Sequence, residues 1–492
     1  MFRTHAAIAA VPAEASLPRT SAESILEASD EDVRATMLIE RMESVPFSRW
    51  HARARIVMGS ATFFDAYAAL SLAYALPVLI GLWHLRGAQI GYLIGIGYVG
   101  QLLGAIFFGA LAERFGRIRS ATAAISVMSV MGIACIFANS FTALLVCRFI
   151  QGIGVGGEVP VAATYLNELS QARGRGRFFL LGQLIFPIGL MITGLIGAWL
   201  VPFLGWRAMF LFGAIPTLIS AVFVALLPES PRWLIFHGRL DEAQRVIEQA
   251  EDSAARLPPE KRVPTAPPLV PVTVANCKTC FVNHSTGKQR IWSELFSAVY
   301  RGRTLVVWTM WITSYFIANG LNNWLPSLYK TVYHMDLQSA LHFASLTNVL
   351  QVVITVACAL LIDRVGRRYW NLGAFVLTAA ALAGVWILGA HEALPVILVG
   401  SLGYGIIGST NTLLFLYTTE IYPTRIRAIA TAIATSWLRA ASAIAPAVVG
   451  LIVDANGIDG MFLLFAVIGV VGAFAAWQMI ETSERQLEEI AP

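Results

Sequence analysis

The chain has 492 residues, 57% of them hydrophobic and 13% charged, with a mean hydropathy of +0.66. That composition excludes an ordinary soluble domain and fits an integral membrane protein, since apolar stretches of about 20 residues, enough to cross a bilayer, recur along it. The net charge of +5 does not mark a nucleic-acid binder, because the arginines gather in alternate short loops rather than in one patch.

Residues 1–46 lack the short apolar core and cleavage site of a secretory signal, so they are read as a cytosolic tail. From Asp30 to Arg55, Met37, Leu38, Ile39, Met42, Val45 and Phe47 alternate with Arg34, Arg41, Arg49 and Arg53, which predicts an amphipathic helix lying at the inner membrane surface. Twelve spans follow. The first six run near Ile56–Trp83, Gln89–Ala112, Ala121–Asn139, Thr142–Glu168, Phe178–Val201 and Ala208–Leu227. The rest run near Thr304–Ser327, Ala340–Asp363, Trp370–Gly389, Leu394–Thr419, Ala428–Val453 and Met461–Ile480. The expected division is therefore a tail over 1–54, a six-helix bundle over 55–228, a polar cytosolic linker with short helices over 229–303, a second bundle over 304–480 and a tail over 481–492.

Lys and Arg in short loops set the orientation of such a chain. Arg114, Arg117, Arg119, Arg173, Arg175, Arg177, Arg364, Arg367, Arg368, Arg425 and Arg427 fall on one side, against Arg86, Arg207 and Lys330 on the other. The first side is expected to be cytoplasmic, with both termini there.

Span four carries Gly152, Gly154, Gly156 and Gly157, small residues that let a neighbouring backbone approach closely. It also carries Arg148 and Glu158. Each such charge inside a span costs at least ~2.5 kcal/mol and so calls for a partner or a wet cavity. Asp65 poses the same question in span one.

The halves echo one another. GALAERFGR around Arg114 and Arg117 returns as ALLIDRVGRR around Arg364 and Arg367, 250 residues on. Tyr165 and Glu168 return as Tyr417 and Glu420, 252 residues on. Two similar six-span halves related by an axis along the membrane normal are a transporter architecture, with substrate held between them near the midplane.

These motifs, with RFIQGIGVGGEVPVAATYLNE, PESPRW after span six and TEIYPTRIR after span ten, resemble the major facilitator superfamily. IERMESVPFSRWHARARIVMGSATFFDAY resembles its metabolite:proton symporters, the branch of bacterial niacin transporters and synaptic vesicle glycoprotein 2 relatives. Glu113 stands where the family usually has Asp. The resemblance implies an all-α membrane protein of two pseudo-symmetric six-helix bundles working by rocker-switch alternating access, in a bacterial inner membrane and as a monomer.

Asp65 and Arg148 are read as a buried pair of opposite charge, either structural or, as the resemblance to sugar porters implies, opened when the acid is protonated. Glu158 is a second candidate proton site. Arg439, the strong charge well inside span eleven, either snorkels or offers its planar fork to an anionic substrate. In span seven, Asn319, Asn322 and Asn323 with Trp324 interrupt the apolar pattern and predict a discontinuous binding segment. Tyr315 belongs to the same aromatic-rich span, and the resemblance adds Phe186 as a site aromatic. Tyr67, Gln183, Gln351, Asn411 and Tyr417 are further polar candidates for the lining. Arg114, Arg117, Glu168, Arg364, Arg367 and Glu420 are expected to form cytosolic charge networks that hold the halves together when the cavity opens outward.

Cys277-Lys278-Thr279-Cys280 with His284 has half the spacing of a zinc site and no second half, so no metal is expected. No phosphate-binding GxxxxGK motif appears, and no cofactor or enzymatic activity is indicated. The expected partners are the bilayer, protons and a small anionic substrate. The leading reading is proton-driven uptake of a small organic acid, possibly aromatic like nicotinate. Sugar transport and a non-transporting sensor are the alternatives.

Overall fold

The computed structural model describes residues 30–169, 183–256, 295–297, 299–388, 393–422 and 424–482. The loop arginines 173, 175 and 177 and the Cys277–Cys280 pair lie outside them. Among the described residues the secondary structure is helical and no strand occurs. A short helix α1 (Asp30–Ser44) precedes the first long one, α2 (Arg49–Trp83). Then come α3 (Gly87–Phe115), α4 (Arg117–Ile136), α5 (Phe141–Leu169), α6 (Ile185–Leu204) and α7 (Trp206–Ala225). Two short helices, α8 (Pro231–Phe236) and α9 (Leu240–Ala255), lead towards the second half. That half holds α10 (Arg301–Thr331), α11 (Leu337–Val365), α12 (Arg367–Leu388), α13 (Ala393–Glu420) and α14 (Thr424–Trp477).

Eleven of the described helices are long and apolar enough to cross a membrane. The last, α14, has 54 residues, and at 1.5 Å per residue would reach about 80 Å if straight, against a hydrocarbon core of about 30 Å. It is two spans. Gly457 turns the chain with φ 70° and ψ −166°, a conformation that is essentially confined to glycine. Its first arm packs on α3, where Gly450 meets Gly87, and its second on α12, where Gly472 meets Phe375. The protein thus has the expected twelve crossings in two pseudo-symmetric bundles, α2–α7 and α10–α14. Ile106, Phe107, Phe203, Val222, Phe223, Ile387 and Val470 are all exposed. In water so many apolar patches would drive association, whereas acyl chains solvate them.

Close helix contacts are made by glycines. On α3, Gly100 and Gly104 lie against the backbone of Phe149 and Ile153 on α5, where any Cβ would collide with a carbonyl oxygen. Helices α3 and α5 are thereby locked into one unit.

The internal repeat reaches further than the sequence motifs. Gly116 and Gly366 both take positive φ, 105° and 89°, between spans two and three of each half. In each half a carboxylate from after the sixth span then caps the following helix. Glu229 accepts from the amides of Arg117 at 2.8 Å and Ile118 at 3.2 Å, and Glu481 from those of Arg367 at 2.9 Å and Arg368 at 3.0 Å. A negative charge there is favoured by the partial positive charge of a helix N-terminus. Sequence reasoning missed these acids, although Glu229-Ser230 and Glu481-Thr482 repeat at the same 252-residue offset as Glu168 and Glu420.

Helix α1 corrects one expectation in part: Leu38 docks it on α9, while Val33 and Met37 of the same helix stay exposed. Leu38 shares an apolar cluster with Trp233, Leu234, Leu240, Ala243 and Ile247. Arg34 reaches Asp241 at 2.7 Å, and Arg41 forks onto Glu251 at 3.0 and 2.7 Å. Helix α9 is itself amphipathic, and its stripe of Leu240, Ala243, Val246, Ile247 and Ala250 takes the cover that lipid would otherwise supply. The second correction concerns span seven. Helix α10 runs unbroken through Asn319–Trp324, because the amides bond within the bundle: Asn323 Nδ2 donates to the carbonyl of Asn319 at 2.8 Å, one turn back.

Gly457→Ala is expected to cost about 1–3 kcal/mol by forcing a side chain into a glycine-only conformation. Thermal unfolding in detergent micelles checks this against Gly302→Ala, where the added methyl group meets open space.

Candidate substrate and proton site

The halves meet along two seams. In one, Gly87, Gly91 and Gly95 present a glycine face of α3 to Gly450, Pro446 and Ala443 of α14. In the other, Gly194 of α6 lies against Ser345 of α11. At the end of the first seam, Asp454 of the second half accepts from the amides of Gly87 at 3.0 Å and Ala88 at 2.9 Å, capping α3. At this end of the molecule the two halves are held in contact.

At the opposite end the charge networks close within their own halves. Arg117 holds Glu168 at 3.0 Å and Glu113 at 3.3 Å, and Arg367 holds Glu420 at 3.3 Å and Asp363 at 3.1 Å. None of these pairs bridges the halves in this conformation; the expected gate concerns the outward-open one. Arg114 and Arg364 are exposed, and Arg114 lies over the Phe115 ring. Glu113 performs the task of the shorter Asp363, so the departure from the family pattern leaves the network intact.

Between the two ends lies a cluster of charge. Asp65 of α2 is 5% exposed and Glu158 of α5 is fully buried. Arg148 does not pair with Asp65 as expected. Its Nη1 donates to the carbonyl of Ala68 at 3.0 Å and to Gln151 Oε1 at 2.8 Å, both in the first half, while its Nε is buried without a partner. The cation acting on Asp65 is instead Arg439, on α14 of the other half, and the two influence one another without direct ion-pair contact. Asp65 Oδ1 and Arg439 Nε are both buried without a hydrogen-bond partner. Glu158 accepts from Thr62 Oγ1 at 3.2 Å, leaves Oε2 unpartnered, and lies close enough to Asp65 for the two charges to interact.

Tyr315 lies close enough to this charge for Arg439 to act on its hydroxyl. Trp311 stacks on it with ring centroids 5.5 Å apart and 9° between planes, and Phe415 meets Trp311 edge-on at 4.7 Å. Asn319 spans three helices, accepting from the Tyr98 hydroxyl of α3 at 3.1 Å and donating to Ser442 of α14 at 2.7 Å. Asn411 is half-buried, with Oδ1 unpartnered. Gln183 and Phe186 are half-buried at the start of α6.

Other candidates turn away. Tyr67 packs inside the first half, where its ring meets Gly213 and its hydroxyl Met209. Gln351 is tied to Tyr404 at 2.8 Å within the second half. Tyr417 is buried beside the Arg367 network and accepts from the amide of Ile480 at 3.2 Å, as its repeat partner Tyr165 donates to the carbonyl of Pro228 at 2.8 Å. It is therefore a tie between elements and not part of the lining. Asn322 and Trp324 are buried in α10. Tyr98, Ser442, Gln151 and Thr62 join the site unforeseen, because nothing in a linear sequence says which face of a wholly apolar span meets which neighbour.

The family model described as sugar (and other) transporter matches residues 54–492. The niacin transporter NiaP of Acinetobacter baylyi is 31% identical over 92% of this chain and 99% of its own. The 4-hydroxybenzoate transporter PcaK of Pseudomonas aeruginosa is 26% identical over 71% of this chain and 79% of its own. The synaptic vesicle 2-related protein of Rattus norvegicus is 24% identical over 92% and 82%. Among solved structures, a partially occluded inward-open conformation of the xylose transporter XylE from E. coli superposes with a TM-score of 0.70 at 18% identity, covering 89% of this chain and 100% of that one. At that identity the likeness shows the fold.

Gly91→Leu is expected to pry the halves apart at the Asp454 end, since a side chain there meets the carbonyl of Pro446. A membrane-impermeant maleimide applied from the Asp454 side should label Ser442→Cys several-fold faster in that variant, in a background with the native cysteines replaced.

Proposed function

The chain belongs to the sugar (and other) transporter family of the major facilitator superfamily, and from that premise we propose that it carries a small aromatic carboxylate, nicotinate-like, into the cell together with protons. Two of its relatives are named for niacin and 4-hydroxybenzoate, both aromatic carboxylates.

The observation that carries this reading is the facing of Asp65 and Arg439 across the two halves. A guanidinium set among apolar side chains is stabilised by an anion, and ionised Asp65 supplies one. A substrate carboxylate entering the cavity competes with Asp65 for the same cation. Protonation of Asp65 removes that competitor, so proton and anion are taken up together and the cavity's charge balance is kept. The planar fork of Arg439 suits a carboxylate held by two parallel hydrogen bonds. Tyr315, backed by Trp311, offers a flat face for an aromatic ring, and Asn319 and Asn323 offer amides. Glu158 gives the proton a second seat on the first half.

The arginine-rich short loops support an orientation with the end bearing Arg117 and Arg367, and both termini, in the cytoplasm. The end where α3 and α14 hold the halves in contact then faces outward. Rocking of the halves would part that glycine seam and bring the two inner charge networks together. In this reading the protein works as a monomer in a bacterial inner membrane.

Uptake of labelled nicotinate into proteoliposomes tests the reading. It should be concentrative under an inside-alkaline pH gradient, fall as external pH rises because the proton is a co-substrate, and collapse with a protonophore. Asp65→Asn should abolish the gradient-driven accumulation while counterflow persists. Arg439→Gln should weaken nicotinate binding on the order of 10- to 100-fold, the loss of hydrogen bonds to a charged group, and leave nicotinamide binding unchanged. Transport of sugars alone would overturn the assignment.

A further inference from the structure

We propose that Asp454 is the latch of this conformation: its carboxylate completes a helix of the other half, and the halves part at that end only when this cap is given up. The inference needs the two-bundle fold alone. Neither a substrate nor a proton enters it.

The internal repeat shows what sets this contact apart. In each half the helix of the second span is reached through the same turn, since His84 before α3 and His334 before α11 both take left-handed backbone, φ 49° and 52°, 250 residues apart. Two residues further on the halves diverge. In the second half Asp336 stands at the N-cap of α11, and its Oδ2 accepts from the amide of Ser339 at 2.9 Å, so that helix is capped by its own residue. In the first half the same position is Arg86, whose guanidinium carries donors only and cannot accept from an amide. The free amides of the first turn of α3 therefore need an acceptor from elsewhere. Asp454 of α14 supplies it, with Oδ1 accepting from Gly87 at 3.0 Å and Oδ2 from Ala88 at 2.9 Å. One half keeps its cap to itself, and the other borrows it across the interface.

The packing beside the cap is built for that reach. Asp454 lies one turn beyond Gly450 on α14, and Gly450 and Gly87 pack so closely that a Cβ on either would strike the carbonyl oxygen of the other. A larger residue at either place would hold the carboxylate away from the amides. Its negative charge is favoured there by the partial positive charge of the helix N-terminus. Asp454 is nevertheless exposed, so water can replace each partner when the halves separate. The bond biases the equilibrium towards contact at this end without locking it.

The test is the distance between nitroxide labels at Leu204→Cys of the first half and Val332→Cys of the second, both exposed at this end, in the purified full chain with its native cysteines replaced. Double electron–electron resonance then reads the ratio of separated to closed molecules. Asp454→Ala should raise that ratio about two- to thirtyfold, the usual worth of a helix cap. Asp454→Asn keeps an acceptor oxygen, loses the charge and should fall between. Asp336→Ala removes the cap that lies within one half, so it should lower the unfolding temperature and leave the ratio unchanged. An unchanged ratio in Asp454→Ala, or an equal rise in Asp336→Ala, overturns the inference. Thermal unfolding of the Asp454 variants confirms that the fold is retained.

Discussion

Everything in this molecule answers to the cost of leaving a polar group unpartnered in a medium without water. Four charged side chains, Asp65, Arg148, Glu158 and Arg439, sit in the middle of an otherwise apolar bundle. They are met in different ways. Arg148 donates within its own half, to a backbone carbonyl and Gln151, and keeps its Nε unpartnered. Asp65 and Arg439 each have their opposite charge on the other half. A group that only the other half can balance is a group whose energy changes when the halves move.

The same division separates structure from switching elsewhere. Contacts within a half are permanent in kind: the glycine contacts of α3 with α5, the carboxylate caps of Glu229 and Glu481, and the forks of Arg117 and Arg367. Contacts between halves are of another kind. They include a smooth glycine face on α3, one carboxylate on two amides at Asp454, the approach of Gly194 to Ser345, and the bond from Tyr98 to Asn319. Small residues pack closely with no interdigitated side chains to disengage, which suits a seam that opens and closes.

The helix pair α1 and α9 sits outside this division. Its ion pairs are largely solvent-exposed, and each contributes no more than about 1 kcal/mol, so the apolar cluster around Leu38 and Trp233 carries the docking. Trp233 also donates from Nε1 to the carbonyl of Glu113 at 2.9 Å, which ties this helical pair to the end of α3 and so to the first half.

The sequence alone determined the number of crossings, the duplication and the family, because hydropathy and repeated motifs are properties of the linear chain. It also named the charges that matter, since a carboxylate or guanidinium within an apolar run is conspicuous without any structure. What it could not decide was pairing. Asp65 and Arg148 share a half and invite being matched, yet the rotation of each helix about its axis turns Arg148 towards Ala68 and Gln151 and sets Asp65 opposite Arg439. The same rotation sends Tyr67 and Tyr417 into the packing and brings Tyr98 to the interface. In a span that is apolar on every side, no periodicity records which face meets which neighbour, so that choice belongs to the tertiary packing.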